Sequence, residues 1–537
     1  MARLFERLDR LAGIDQNGFA ARWLERIAFV FLTLMVLTAP HSIAASQSSW
    51  ILGMLATVIR LVLKPRVQFR FKALDIALWV LFLWAVVSSL FSYEPRISLD
   101  KLRGVSLFLV FFFAYLNIRR LPAVYFLAFA LIFSCTINVA WVIGERIVGR
   151  GVEVHGVASD GPLGKSNLID GTTIVSSNGK RLYSPEELVA QVDRSGSAKM
   201  VIYQYEFYLE VDLTQADLLP GTSANERLGI AGWTRSYNWR AQGFFGHFTT
   251  YAEAIQLILS LLFGLIVASL VSRKSENGSN RPANSVLRLL TSTPLLIFVF
   301  GAICVALLLT VTRASQLAFM VSAFLIIVLS GSRKLLIAAC IVAIPVVLGG
   351  LLYLQEARNV GFVDTSDEST LYRLTMWKDG LRLSTTSAHN FVFGLGMDSI
   401  KKHWQEWGMF DGGRLPLSHF HSTPIQLLAE RGLPALLIWL VVLGLYCQTL
   451  WRGFVAEREK RKRGEGDRFA FGILLGCFGA LVGFFISGLV HYNLGDGEVA
   501  MIFYLLMGFG AKVSDLITTS GQDDFASSNQ VRVEMAA

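Results

Sequence analysis

The sequence predicts an all-α polytopic membrane protein with about twelve transmembrane helices and a small α+β insert. Three observations lead there. The 537 residues are 53% hydrophobic and only 17% charged, with a mean hydropathy of +0.50, whereas a water-soluble domain carries about a quarter charged residues. Apolar runs of the roughly 20 residues needed to cross a bilayer recur along most of the chain, as at 73–90, 289–309, 335–354 and 433–450. Lys and Arg, finally, gather in alternate short loops between those runs.

The predicted spans are 25–43, 47–63, 74–92, 104–118, 122–143, 247–271, 289–311, 315–331, 335–354, 433–450, 469–490 and 497–513. A cytoplasmic N-terminus puts the most basic loops inside. These hold Lys64, Arg66, Arg70 and Lys72, then Arg119 and Arg120, then Arg273, Lys274, Arg281 and Arg288, then Arg333 and Lys334. The richest follows, from Arg452 through Arg458 and the run Lys460 to Arg463. Loops 44–46 and 491–496 carry no Lys or Arg, and 93–103 is the exception with Arg96, Lys101 and Arg103. The positive-inside rule supports this threading, with both termini in the cytoplasm. The net charge of +9 is therefore a topology signal rather than a nucleic-acid surface. Residues 1–26, with Arg3, Arg7, Arg10, Arg22 and Arg26 among acids, read as a cytoplasmic lead-in and not a signal peptide. The five cysteines lie in apolar runs, so no structural disulfide is expected.

The expected layout follows. Residues 1–143 form the lead-in and five helices; 144–246 form a periplasmic insert; 247–354 hold four helices. Residues 355–432 make a large periplasmic loop, 433–513 hold three helices, and 514–537 form a cytoplasmic tail expected to be disordered. In the insert, Thr172 to Ser176 and Ala198 to Tyr205 alternate like strands, and Ser177-Asn178-Gly179 is a turn. Ser184-Pro185-Glu186-Glu187 opens a helix. The string DGTTIVSSNGKRLYSPEELVAQV resembles the second half of a PDZ domain, without an evident first half. The plainer reading is an α+β decoration that braces the loop.

All eight histidines (His41, His155, His247, His389, His403, His419, His421 and His491) fall on the predicted outer side or at its interface. The second loop ends in SHFHSTPIQLLAERGLPALLIWL. Ser422 or Thr423 can cap a helix there, Pro424 suits its first turn, and Gly432 and Pro434 break it before the next span. His421 thus stands at a helix start, where neutral imidazole and anionic ligands are favoured and an attacking hydroxyl can lose its proton.

The run His421-Ser422, nine residues and Gly432 resembles the His motif of the O-antigen ligase family, which includes O-antigen and exopolysaccharide polymerases. Three further stretches are similar to that family: WRAQGFFGHFTTYAEA at 239–254, LLLTVTRASQLAF at 307–319, and STLYRLTMWKDGLRL at 369–383 followed by FGLGMDS. The resemblance covers roughly residues 230–510, and the insert is longer than the family leads one to expect. It implies metal-independent, cofactor-free glycosyl transfer from an undecaprenyl-diphosphate-linked glycan to a glycan or lipid A core acceptor. It also implies that Arg240, Arg313 and Arg373 hold the diphosphate and that His421 is the base, with His419 a neighbour. Arginine suits this role because its planar fork stays cationic and binds phosphate bidentately.

Each assignment has a plainer counterpart. Arg313 could anchor at headgroups, Arg240 follows an interfacial Trp239, and Arg373 stands four residues from Trp377, within cation–π reach. Glu253, one or two turns into the sixth span, is read as an accessory group paired with a neighbouring Arg. His419 and His421 have no evident third and fourth ligands for zinc, and no nucleotide-binding loop is present. The alternatives are a transporter or flippase, which would carry midplane charge and related halves, and a periplasmic assembly scaffold acting with other polysaccharide assembly proteins. Ligase and polymerase share donor chemistry, and the residues do not separate them.

Overall fold

The computed structural model describes residues 2–14, 18–64, 71–205, 207–237, 239–272, 291–341, 349, 368–415 and 419–536. The chain divides into two compact units. One comprises Met1–Asn138, Phe244–Leu308 and Thr312–Ala537; the other comprises Val139–Gly243 and Leu309–Val311.

The first unit is helical. Among the described residues, eight helices are long and apolar enough to cross a membrane: Ile43–Val62, Ala73–Leu90, Leu121–Val148, Phe248–Ser272, Arg313–Ser330, Thr423–Lys462, Arg468–Gly488 and Gly497–Thr519. Other predicted spans take less regular forms. Phe19–Thr38 is a full helix, but Arg22, Glu25 and Arg26 charge its first two turns. The 104–118 span is broken into Pro95–Val105, a tight turn at Ser106–Phe108 and Leu109–Asn117. At that break the Ser106 hydroxyl donates to the Arg103 carbonyl at 2.7 Å, a local bond that competes with the helix ladder. Thr293–Leu309 has 17 residues. Most of the 335–354 span lies outside the described residues, as do Arg273, Lys274, Arg281 and Arg288.

Phe248–Ser272 and Arg468–Gly488 pack backbone to backbone. Gly472 and Gly476 are four residues apart and share one helix face. A Cβ on Gly476 would lie 2.6 Å from the Leu261 Cα. Small residues at this spacing let membrane helices approach closely, which replaces the hydrophobic driving force that lipid removes.

Thr423–Lys462 is two helices joined at Gly432, whose φ of 76° and ψ of 174° leave the helical region. A side chain there would meet the Val392 carbonyl oxygen at 1.9 Å, so this is the break that Gly432 and Pro434 announce. The second piece runs twelve residues past the predicted end at 450, to Lys462. The final helix also differs from expectation: it continues from Gly497 to Ala536, through the stretch read as a disordered tail. Its first turns past 513 are held by packing, since Ser514 and Ile517 are buried and the Ser514 hydroxyl donates to the Thr449 carbonyl at 2.7 Å.

The second unit is an antiparallel sheet. Its strands are β1 (Arg150–Val157), β2 (Thr173–Ser177), β3 (Lys180–Arg181), β4 (Ser197–Gln204), β5 (Phe207–Thr214) and β6 (Ile230–Ser236). The order is β5-β4-β2-β1-β6, with β3 paired to β2. Asn178 and Gly179, at φ of 48° and 75°, make the tight β2–β3 turn. The helix Pro185–Ser195 closes on a left-handed Gly196. Its Leu188 and Val192 bury against Val152, Ile174, Met200 and Ile202.

Candidate functional site

The loop that carries His421 has an apolar core of its own. Met376 and Leu383 on the helix Glu368–Thr385 pack with Leu395, Phe410, Phe420 and Ala429. Phe420 is fully buried, and its N–H donates to the Gln426 Oε1 at 2.8 Å. Phe420 is anchored inward, while His419 is exposed and His421 half-buried beside it.

His421 is held in an unusual backbone state. Its φ is 47°, in the left-handed region that costs a non-glycine residue about 1–2 kcal/mol. Its N–H donates to the His419 Nδ1 at 3.1 Å, and its carbonyl accepts from the Trp377 Nε1 at 3.4 Å. The two imidazole centroids are 4.2 Å apart, with the Tyr372 ring 5.4 Å from His421 and the His491 ring 6.5 Å from it. Because the His419 Nδ1 accepts a bond, its neutral ring carries the proton on Nε2.

Five groups from four separate segments share this region: His247, Arg373, His419, His421 and His491. Burial pushes the His421 imidazole down to about 3, helped by His419, Arg373 and His247. His419 is pushed down to about 4, again chiefly by enclosure in protein, although its ring retains solvent contact. His491, fully enclosed, is held well below the usual imidazole range by burial and then by Arg373. The Asp398 carboxylate opposes this trend at His419. The cluster is thus neutral imidazole in a positive field, and an anion bound there would relieve it.

A hydrogen-bonded relay holds the floor. The N–H and hydroxyl of Thr423 both donate to the His491 carbonyl, at 3.1 and 3.2 Å, and Thr423 Oγ1 meets the Asn493 Oδ1 at 2.9 Å. Ser422 occupies the N-cap position without a side-chain cap bond, so Thr423 fixes this helix start through the loop it faces. The Asn493 amide donates to the Phe484 carbonyl and to the Ser487 hydroxyl at 2.7 and 2.9 Å. Ser487 in turn bonds Glu253, which is 2% exposed. Among the described residues Glu253 has no arginine partner, contrary to expectation. Its Oε1 has no hydrogen-bond partner, and Asp496 is the charge beside it. The groups that reach it come from the 484–496 hairpin, which sequence separation hides.

Arg240 and Arg313 lie in different units. Arg240 donates through Nε and Nη2 to the Thr310 and Val311 carbonyls at 2.8 and 3.0 Å, and through its backbone N–H to the Tyr203 hydroxyl at 3.2 Å. Val311 is itself strained, a β-branched residue at φ of 53°. Trp239 is buried, under the Arg146 guanidinium at 5.1 Å. Arg313 is half-buried and opens the helix Arg313–Ser330.

Tertiary structure therefore brings Arg373, His419 and His421 together and adds His247 and His491, to which the sequence gave no role. The available signal for His491 was its place in a short loop without Lys or Arg. His403 stands apart, bonded to Glu406 and Glu94 at 2.9 and 3.1 Å, and those carboxylates raise it above the usual range. Among the described residues no group of three or more His, Cys, Asp or Glu side chains could hold a metal ion.

A family model described as O-antigen ligase, Wzy_C, matches residues 295–440. Arg313, Arg373, His419 and His421 fall inside the match; Arg240, His247, Glu253 and His491 fall outside it. No curated protein matches the chain.

Proposed function

Residues 295–440 belong to the O-antigen ligase family, and from that premise we propose that this multi-pass membrane protein transfers a glycan from undecaprenyl diphosphate to an acceptor sugar hydroxyl at the periplasmic face. His421 takes the proton of the acceptor hydroxyl as its oxygen attacks the donor's anomeric carbon. The bond from that carbon to the diphosphate oxygen breaks, and undecaprenyl diphosphate leaves with the bonding pair. Arg373 and Arg313 hold the diphosphate and stabilise the charge that grows on it, the larger contribution to rate. No metal or cofactor takes part. On this reading the protein sits in the bacterial inner membrane with about twelve crossings and both termini in the cytoplasm. The insert at 144–246 is a small α+β module, PDZ-like in part, that braces the loop it decorates.

One observation carries the proposal. His421 is a desolvated, neutral imidazole beside the Arg373 charge, at the end of a loop within the family match. One feature that looks adverse then fits the chemistry. An imidazole held near 3 is a weak base, but a diphosphate entering the same field supplies the negative charge that raises it. The base is therefore strengthened when donor is present, and water is not activated in its absence.

The test is transfer in reconstituted membranes with donor carried on undecaprenyl diphosphate. His421→Ala, inserted and folded, should lose transfer while keeping donor binding. Wild-type rates from that variant would end the proposal.

A further inference from the structure

A cavity of about 440 Å³ opens beside His419, on elements distinct from those that present Arg373 to His421. Its apolar wall is Leu78, Leu81 and Phe82 of the helix Ala73–Leu90, with Phe108 beyond them. Its polar wall comes from three other places: Asp398 and Lys401 after the Gly-x-Gly turn, Gln426, Glu430 and Arg431 on the helix that starts at Thr423, and Tyr492. The size is within the roughly 300–1,000 Å³ of small-molecule sites.

Arg431 is the informative residue. It is 4% exposed, its Nη2 donates to the Tyr492 hydroxyl at 3.0 Å, and its Nε has no hydrogen-bond partner. A buried guanidinium N–H left unsatisfied is costly, and it marks this wall as short of an acceptor oxygen. Two ligand chemistries offer such an oxygen, a phosphate and a sugar hydroxyl. The rest of the wall decides between them. Lys101 and Lys401 both spend their charge on Asp398, at 2.7 and 3.0 Å. Glu430, 3% exposed, accepts from the Asp398 N–H at 2.9 Å and also bonds Gln426. A phosphate would face two carboxylates, whereas hydroxyls both donate and accept and so use carboxylate, amide and guanidinium alike. The aromatic side chains of Phe82, Phe108, Tyr492 and Tyr504 also line the cavity and supply apolar surface for the C–H faces of a sugar ring.

We propose that this cavity is the acceptor-sugar subsite: a pyranose of the acceptor glycan binds to Arg431, Glu430 and Asp398, and its free hydroxyl is presented past His419 to His421. The imidazole centroids 4.2 Å apart make that passage short. Arg431, Glu430 and Asp398 then select the acceptor sugar, while the donor is held by other residues. This inference rests on the glycosyl-transfer reading, which the test below separates from it.

The experiment uses the full chain in nanodiscs. The probe is the set of one- and two-repeat oligosaccharides released by mild acid from the surface glycan of the producing cell. Binding is read by calorimetry and by hydrogen-exchange protection of 395–402, 423–431 and 490–496. Wild type and His421→Ala should bind alike, and Arg431→Gln and Asp398→Asn should weaken binding at least tenfold and raise the acceptor KM without changing the donor KM. Should Arg431→Gln fail to fold, Asp398→Asn and Tyr492→Phe carry the decision. Equal saccharide affinity in the folded variants overturns the subsite. So does protection by inorganic phosphate or by phosphatidylglycerol vesicles in place of saccharide, which would mark a phosphate or lipid headgroup site. Full transfer by His421→Ala would instead overturn the reaction and leave saccharide binding standing.

Discussion

The backbone N–H of His421 donates to the Nδ1 of His419 at 3.1 Å, while the His421 backbone sits at φ of 47°. One imidazole thus helps to hold the other in a conformation the backbone resists. The two residues have different roles on this account: His421 acts on the substrate, and His419 positions it.

Substitution should separate those roles. His421→Ala is expected to lower the transfer rate by roughly 10²–10⁴-fold, the usual value of a positioned base. His419→Ala should cost less, and His419→Asn, which keeps an acceptor near the same atom, should recover part of the loss. Steady-state transfer assays on both variants, with membrane insertion checked, decide the matter. Equal losses would contradict the division.

Arg373 raises the field at both His421 and His491. Arg373→Gln should remove a charged hydrogen bond to the diphosphate worth about 1.5–3 kcal/mol, roughly a 10- to 150-fold loss in rate. It should also let the His421 imidazole rise toward its ordinary value, visible as an acid limb displaced to higher pH in kcat/KM. A rate loss without that displacement would place Arg373 away from the base.

The pH dependence has a definite sign. With His421 held near 3 in the empty site, kcat/KM should show no acid limb from this group between about pH 5 and 7, where an ordinary imidazole at about 6.5 would show one. Bound diphosphate raises the imidazole, so kcat should fall at a higher pH than kcat/KM. Stability runs the same way. His491 is buried and neutral in the fold but binds a proton when unfolded below about pH 6.5, so acid favours unfolding by up to about 1.4 kcal/mol per pH unit for each proton suppressed. Thermal unfolding in detergent between pH 7 and 5 reads the slope; a flat or rising midpoint would count against the buried cluster.

Gly432 is the joint between the helix that starts at Thr423 and the span that follows. Gly432→Ala forces a side chain into φ of 76° and within 1.9 Å of the Val392 carbonyl oxygen. The conformation alone costs about 1–3 kcal/mol, and the overlap adds to it. A lower unfolding midpoint together with loss of transfer is the expected result, and wild-type stability would refute the joint.

The Gly472 and Gly476 stripe should be as intolerant of bulk. Gly476→Leu must push apart the helices Phe248–Ser272 and Arg468–Gly488, because a Cβ already lies 2.6 Å from the Leu261 Cα. Overpacking of this kind costs about 1–3 kcal/mol. Gly444→Leu, where nothing lies within 4 Å of the added Cβ, is the control that should leave the detergent midpoint unchanged.

Much of the architecture was legible in the order of residues. Apolar runs marked the spans, alternation marked β2 and β4 within a residue, and Pro424, Gly432 and Pro434 marked both ends of the helix after His421. Where the reading departed, a tertiary contact was responsible. The last helix persists past 513 because Ser514 finds the Thr449 carbonyl, and Glu253 meets Ser487 and Asp496 instead of an arginine.

The sequence by itself determined that this chain passes repeatedly through a membrane and that it carries an Arg- and His-bearing pattern in a recognisable order. Those properties are local, set by hydropathy over a span and by spacing within a motif. Only the tertiary structure decided that His247, Arg373, His419, His421 and His491 share one field, and that Arg431 ends in a cavity with an unsatisfied N–H. Desolvation and through-space charge depend on neighbours drawn from distant segments, and no one-dimensional pattern records which segments will meet.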